Sequence, residues 1–474
     1  MQLEKESRPR RCYISILALY CTLFVSLHGI AQHGSAVPVE YSLRFSGART
    51  TKESALDRVE RIRVKCKEWA SPETFREELA AVSETMWNRL MPQRDTTIAV
   101  RLRRKVAAPQ FEACADRLSE RDRYLRLVAE IAEFYYESVR FRTAVYFLHV
   151  SKSGGTAMCN LACDNGCRTP HCGLSGNCWS RQGVDGPKWS TFGTHEWWTD
   201  KRRRSSQFTN CLLEQKHFIS KAWNFVANEN YLFGGEQSSS HVEVCGEFLN
   251  VAVLRNPITR VLSHLRMIRE LEEAEVRKSG EAGNLQGTTL NVEDMASQFY
   301  TISSDYAVRV LVGEKEFTKK TLDESHLDLA KARLAEFDLV MLTENLFDGR
   351  AESVLRNGIG WSNVNASSTS KSRHVGTSAE SFDARDVDFV KSLNPLDTAL
   401  YGYAESLAVS DIRFFDMVDE AREVHAIYGD SLRRGGATTT KEGENEPIRQ
   451  WLNTTVVCSR QCGHICTVEF EFDK

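Results

Sequence analysis

The junction between Ala144-Val145-Tyr146-Phe147-Leu148-His149-Val150 and Ser151-Lys152-Ser153-Gly154-Gly155-Thr156 constrains the fold more than any other stretch of the chain. A short run of β-formers that stops at paired glycines reads as a buried strand entering a tight turn. Two further runs have the same texture. Phe248–Leu254 is followed by Arg255-Asn256-Pro257, and Phe337–Leu342 ends at Thr343-Glu344. Helical patterns separate the runs, among them Pro257 to Glu275 and Ser325 to Glu336. Strands alternating with helices predict an α/β fold, a parallel sheet flanked by helices.

The loop itself suggests anion chemistry. Glycines let the backbone turn tightly and aim its amides at an anion, and a helix starting there adds its positive end. Lys152 supplies a mobile charge and Thr156 a hydroxyl. In the Walker loop, GxxxxGK[ST], the lysine follows the glycines, whereas here it precedes them. That order disfavours an ATPase and suits a nucleotide held through its 5′-phosphate with no metal between phosphates. A plain strand–turn–helix connection would account for Gly154-Gly155 alone. Arg255, at the carboxyl end of the next strand, and Ser263, two turns into the following helix, shift the balance. Ligands of open α/β sheets bind outside the carboxyl ends of the strands, so both segments are expected to face one crevice.

The pair Lys152-Ser153-Gly154-Gly155-Thr156 and Leu254-Arg255-Asn256-Pro257-Ile258-Thr259-Arg260 with Ser263 resembles the two nucleotide-binding signatures of the sulfotransferase superfamily. The surroundings are similar to the Golgi heparan sulfate 6-O-sulfotransferases in particular. Gly193-Thr194-His195-Glu196-Trp197-Trp198-Thr199 resembles the segment carrying that family's catalytic histidine, and Val308–Leu311, Ala330–Glu344 and Leu393–Tyr401 match later segments. The likeness covers about residues 144 to 410, with Ser153 in place of Thr and Asn256 in place of Asp. It implies a P-loop-like sulfotransferase fold, 3′-phosphoadenosine-5′-phosphosulfate (PAPS) as donor without a metal, and a glycan acceptor, with a hexosamine 6-hydroxyl of a heparan-like polysaccharide expected. Lys152, Ser153, Gly154, Gly155 and Thr156 would line the 5′-phosphosulfate, Arg255 and Ser263 the 3′-phosphate, and Arg373 would close over the nucleotide or be a solvated basic residue. His195 is the expected base and Lys152 the stabiliser of leaving-group charge. His149, beside the loop, is the competing histidine, with packing beneath the loop as its plainer role. Lys201-Arg202-Arg203-Arg204 is either an acceptor-binding run or solvated surface.

The rest of the chain concerns compartment and partners. Cys12–Ala31 holds no Lys, Arg, Asp or Glu and follows Lys5, Arg8, Arg10 and Arg11. Such a segment can span a bilayer with its basic flank in the cytosol, or be a cleaved signal peptide. The expected organisation is a cytosolic tail at 1–11, an anchor at 12–31, a helical stem at 32–140, the transferase domain at 141–430, and a linker with a cysteine-bearing tail at 431–474. The resemblance implies a single-pass type II protein of the Golgi membrane. Twelve of the 14 cysteines follow the apolar segment, and their irregular spacing favours disulfides over a zinc site. Asn365-Ala-Ser and Asn453-Thr-Thr are N-glycan sequons. A formal charge of −3 gives no argument for a nucleic-acid partner. The competing functions are a non-catalytic glycan- or nucleotide-binding protein and a kinase-like phosphotransferase.

Overall fold

The computed structural model describes residues 96–140, 142–170, 172, 177–179, 211–232, 244–279, 291–364, 382–434 and 460–467. The expected tail, anchor and first part of the stem lie outside these residues, as do His195, Lys201–Arg204, Arg373 and both sequons. Among the described residues no helix is long and apolar enough to cross a membrane.

Three helices open the described chain: α1 (Thr96–Val106), α2 (Pro109–Arg117) and α3 (Arg121–Arg140). Strand β1 (Val145–His149) and helix α4 (Gly155–Asp164) flank the glycine loop. They are followed by α5 (Cys211–Lys221), β2 (Phe225–Asn228), β3 (Leu249–Leu254), α6 (Pro257–Ser279), α7 (Val292–Gln298), α8 (Tyr306–Val312), α9 (Glu324–Glu336) and β4 (Leu339–Leu342). Helices α10 (Ala384–Ser392) and α11 (Pro395–Arg434) precede a hairpin of β5 (Arg460–Cys462) and β6 (Ile465–Thr467). Very short helical turns between these elements are left unlabelled.

Strands β1 to β4 form one parallel sheet in the order β2-β1-β3-β4, so the expected α/β class holds. Every residue of the four strands is buried, as a sheet covered on both faces requires. Alternation along the strands divides the core in two. Val145, Phe147, Val251, Val253 and Met341 face α1, α3, α4 and the Phe414–Ala421 stretch of α11. Leu148, Ala252, Leu254, Val340 and Leu342 face α6, α8, α9 and the Leu396–Ala408 stretch of α11. Helices α1 to α3, in the segment expected to be a stem, therefore share a core with the sheet. Buried charges reinforce this: Asp411 of α11 accepts from Arg103 and Arg104 of α1, and Asp338 pairs with Arg142.

Each sheet edge has a partner that takes up an edge amide, which blunts pairing with foreign strands. At β4, the Asp411 carboxylate accepts the Val340 amide at 2.9 Å. At β2, the Ala227 amide donates to the Cys178 carbonyl at 3.0 Å, and Trp179 bridges Ala227 in parallel. Among the described residues, four disulfides join Cys159–Cys178, Cys163–Cys172, Cys167–Cys462 and Cys211–Cys245. The third anchors the β5–β6 hairpin, whose Gly463 lies against the Ile359 carbonyl so closely that a Cβ there would be 1.9 Å from its oxygen.

Candidate anion-binding site at the carboxyl end of the sheet

Strands β1 and β3 are neighbours, and their onward connections lead to opposite sides: β1 to β2 at one edge, β3 to β4 at the other. A crevice opens outside the carboxyl ends of strands at such a reversal. The Ser151–Thr156 loop leaves β1 there, and Arg255 leaves β3. The Arg255 guanidinium donates from Nη1 to the Lys152 carbonyl at 3.2 Å, so two segments 103 positions apart meet.

Each glycine of the loop answers a different demand. Gly154 takes φ 86°, a left-handed conformation that side chains resist. Gly155 is needed for space, since a Cβ there would lie 1.9 Å from His149 Nε2. His149 thus sits beneath the loop, 4% exposed, with its ring stacked on Phe147. Burial, with Lys152 nearby and Glu229 opposing, holds its pKa below the usual histidine value. The sequence left His149 a choice between proton acceptor and packing; the geometry is that of packing.

Lys152 has φ 69°, also left-handed, which places its side chain along α6. Its Nζ lies 3.6 Å from Met267 Sδ. Ser263, one helical turn before Met267, is 8% exposed. Arg255 and Lys152 are partly buried, and among the described residues neither forms an ion pair. Burial lowers the pKa of both; Arg255 lowers that of Lys152 further, against the pull of Glu229 and Glu270, and Glu344 opposes the shift of Arg255. Two desolvated cations this close are a standing invitation to an anion.

The start of α4 adds to this field. Gly154 is its N-cap and no side chain caps it, so the first amides of a ten-residue helix are open to a ligand. Ser153 contributes differently from expectation: it is fully buried, and its amide donates to the Val150 carbonyl. What the loop presents outward is Thr156, with Lys152 and Gly154 half-buried beside it and Gly155 buried against His149. Across the crevice, Asn256 caps α6 by accepting from the Ile258 amide, with Pro257 at the first helical position. Glu344, just past β4, accepts from the Asn256 amide at 3.1 Å and from Tyr401 at 3.2 Å.

Of the residues expected in the site, Lys152, Ser153, Gly154, Gly155 and Thr156 share one loop, Arg255 contacts that loop, and Ser263 lies on α6 one turn before Met267, which Lys152 touches. His195 and Arg373 are outside the described residues. Sequence reasoning missed Glu229 and Asn177. Glu229 directly follows β2 and is 5% exposed; it accepts from Ser151 Oγ at 2.6 Å and from Asn177 Nδ2 at 3.1 Å, with His149 Nδ1 3.4 Å away. The only available signal was the three-residue apolar run Phe225-Val226-Ala227 before Asn228.

The sequence matches no protein-family model and no curated protein.

Proposed function

We propose that this chain is a PAPS-dependent sulfotransferase with the sulfotransferase fold, acting on a glycan hydroxyl. The observation that carries the reading is the contact between the loop after β1 and Arg255 after β3. The two signature-like segments could have lain apart; instead they converge at the reversal of strand order. The donor set suits a nucleotide with phosphate-type groups at both 5′ and 3′ positions: open amides at the α4 N-terminus, the Lys152 ammonium, the Arg255 guanidinium and the Ser263 hydroxyl.

PAPS, when bound, supplies the activated sulfuryl group. Lys152 and the α4 amides would then hold the 5′ side and offset charge growing on the leaving phosphate, while Arg255 and Ser263 fix the 3′-phosphate. The acceptor oxygen forms the new bond to sulfur as the bond from sulfur to the phosphate oxygen breaks, and the acceptor proton passes to a base. His195 is proposed for that role, because an imidazole titrates near ~6.5. Positioning and electrostatics do most of the work in such in-line transfers. A heparan-like acceptor, residence in the Golgi membrane and membership of the 6-O-sulfotransferase group belong to the same proposal and rest on the sequence likeness.

The test is transfer of ³⁵S from labelled PAPS to a panel of glycans by the full-length chain and its His195→Ala variant. Transfer by wild type with a loss of about 10²-fold or more in the variant supports a general base. Nucleotide binding without transfer to any glycan would favour a non-catalytic binding protein. Absence of nucleotide binding would refute the proposal.

A further inference from the structure

The two ends of the anion loop are tied to each other through two side chains that are not part of it, Glu229 and Asn177. Ser151, at the start, donates from Oγ to Glu229 Oε1 at 2.6 Å. Thr156, at the end, donates from Oγ1 to Asn177 Oδ1 at 3.0 Å. Asn177 Nδ2 closes the ring by donating to Glu229 Oε2 at 3.1 Å. The direction of each bond is forced. An ionised carboxylate only accepts, so the Asn177 amide must turn its NH₂ to Glu229 and its oxygen to Thr156. Ser151 has spent its proton on Glu229, so Tyr306, 3.3 Å away, donates to Ser151. The Thr156 hydroxyl proton is likewise committed to Asn177.

Asn177 is held from two further sides. Its neighbour Cys178 is disulfide-bonded to Cys159 of α4, one turn beyond Thr156. The Cys178 carbonyl also accepts the Ala227 amide of edge strand β2. The segment 177–179 is thus pinned to the strand that leads into Glu229 and to the helix that begins at the loop.

We propose that Asn177 is a positioning residue for the anion loop, clamping its first and last residues through Glu229 while the Cys159–Cys178 bridge holds the clamp in place. The clamp keeps the first turn of α4 and the Lys152 backbone in the binding arrangement before any ligand arrives, so that less ordering is left to binding. It deepens the proposed function, and rests on it only for the identity of the anion.

The experiment is amide hydrogen exchange on the full chain without ligand, comparing wild type with Asn177→Ala and Asn177→Asp. The reporters are the Ser153 and Met158 amides, which donate to Val150 and Gly154. Loss of two hydrogen bonds should speed their exchange about tenfold in N177A, with β1 and β3 unchanged. N177D keeps the shape of the side chain but sets an acceptor oxygen where the amide donor faced Glu229, so the same two amides should exchange at least as fast as in N177A. Unchanged protection in N177A, or wild-type protection in N177D, would overturn the proposal. If N177A loosens the whole sheet, N177D, which fills the same space, decides. Binding of 3′-phosphoadenosine-5′-phosphate to wild type is measured alongside: its absence sinks the proposed function, while the exchange data still decide on the clamp.

Discussion

Replacing Gly155 by alanine should destabilise the protein through one identifiable collision. The new methyl would lie 1.9, 2.0 and 2.3 Å from Nε2, Cε1 and Cδ2 of His149. The ring has little room to retreat, being 4% exposed and backed by fully buried Phe147. Overpacking of a close-packed interior costs about 1–3 kcal/mol, and an overlap this deep belongs at the upper end. Alanine in place of glycine in the first turn of α4 returns roughly 1 kcal/mol of backbone entropy. The net expectation is a loss of about 2 kcal/mol. His149→Ala alone removes a buried ring and should cost about 2–4 kcal/mol by analogy with other core truncations. In the double variant the methyl enters the space the ring left, so the combined loss should fall short of the sum by roughly 2 kcal/mol. Gly154→Ala is the control: its Cβ would make only ordinary contacts, the nearest at 3.7 Å, but φ is 86°. It should cost about 1–2 kcal/mol through the backbone and gain nothing from His149→Ala. Urea unfolding of the oxidised proteins measures all five variants, the G154A/H149A pair included, provided the slope stays constant. An additive G155A/H149A pair, or a G155A variant as stable as wild type, would refute the packing and return His149 to the surface of the loop as a proton acceptor.

On the proposed function Lys152→Gly should abolish nucleotide binding; independently of it, the variant should be about 1 kcal/mol more stable than Lys152→Ala, because only the glycine relaxes φ 69°; equal unfolding midpoints would remove the strain argument. Acidification should destabilise the fold from about pH 6.5 downward. Burial keeps His149, His264 and His464 neutral in the folded state, whereas the unfolded chain protonates near ~6.5, so the stability present above that pH is lost as it falls. Burial acts with the opposite sign on Asp305, pushed up to about 6, and on Asp397, whose protonated forms in the fold offset part of the loss. Denaturation at pH 7.5 and 5.5 measures the net term, and a midpoint that rises in acid would show the carboxyl groups to dominate. Substituting serine at both Cys167 and Cys462 should cost about 2–5 kcal/mol and free the β5–β6 hairpin, read as faster exchange at the His464 amide, which donates to the Ile359 carbonyl; unchanged exchange would mean that packing alone holds the hairpin.

How much was legible depended on whether a feature is local. Strands β1, β3 and β4 announce themselves because a strand buried on both faces is mostly apolar, and each is followed within a few residues by a glycine turn, an arginine with Asn-Pro, or a Thr-Glu pair. Helices α6 and α9 were placed to within a few residues for a similar reason: Asn256 with Pro257 starts one, and the Asp323 carboxylate caps the other by accepting from Ser325 and His326. Strand β2 escaped, being four residues long and ending in Asn228, whose amide side chain donates to the Tyr231 carbonyl. That omission hid Glu229, because a carboxylate is suspect only once it is known to stand at the end of a strand beside β1.

The cysteines show the same limit from the other side. Their abundance implied disulfides, yet no spacing rule joins Cys167 to a partner 295 residues away, nor assigns Cys178 to Cys159. The pairing follows from the sheet order: β2 lies beside β1, the segment before it must run along that edge, and Cys178 thereby reaches the helix that leaves β1. The lysine and arginine of the site could be read because a cation after a buried strand has few structural uses. Asn177 and Glu229 could not, since a side-chain hydrogen bond has no period along the chain and appears only when topology has brought its partners together. A site of this kind is therefore half visible in advance. Its charges are written into local motifs, and the groups that hold those charges still are written into the fold.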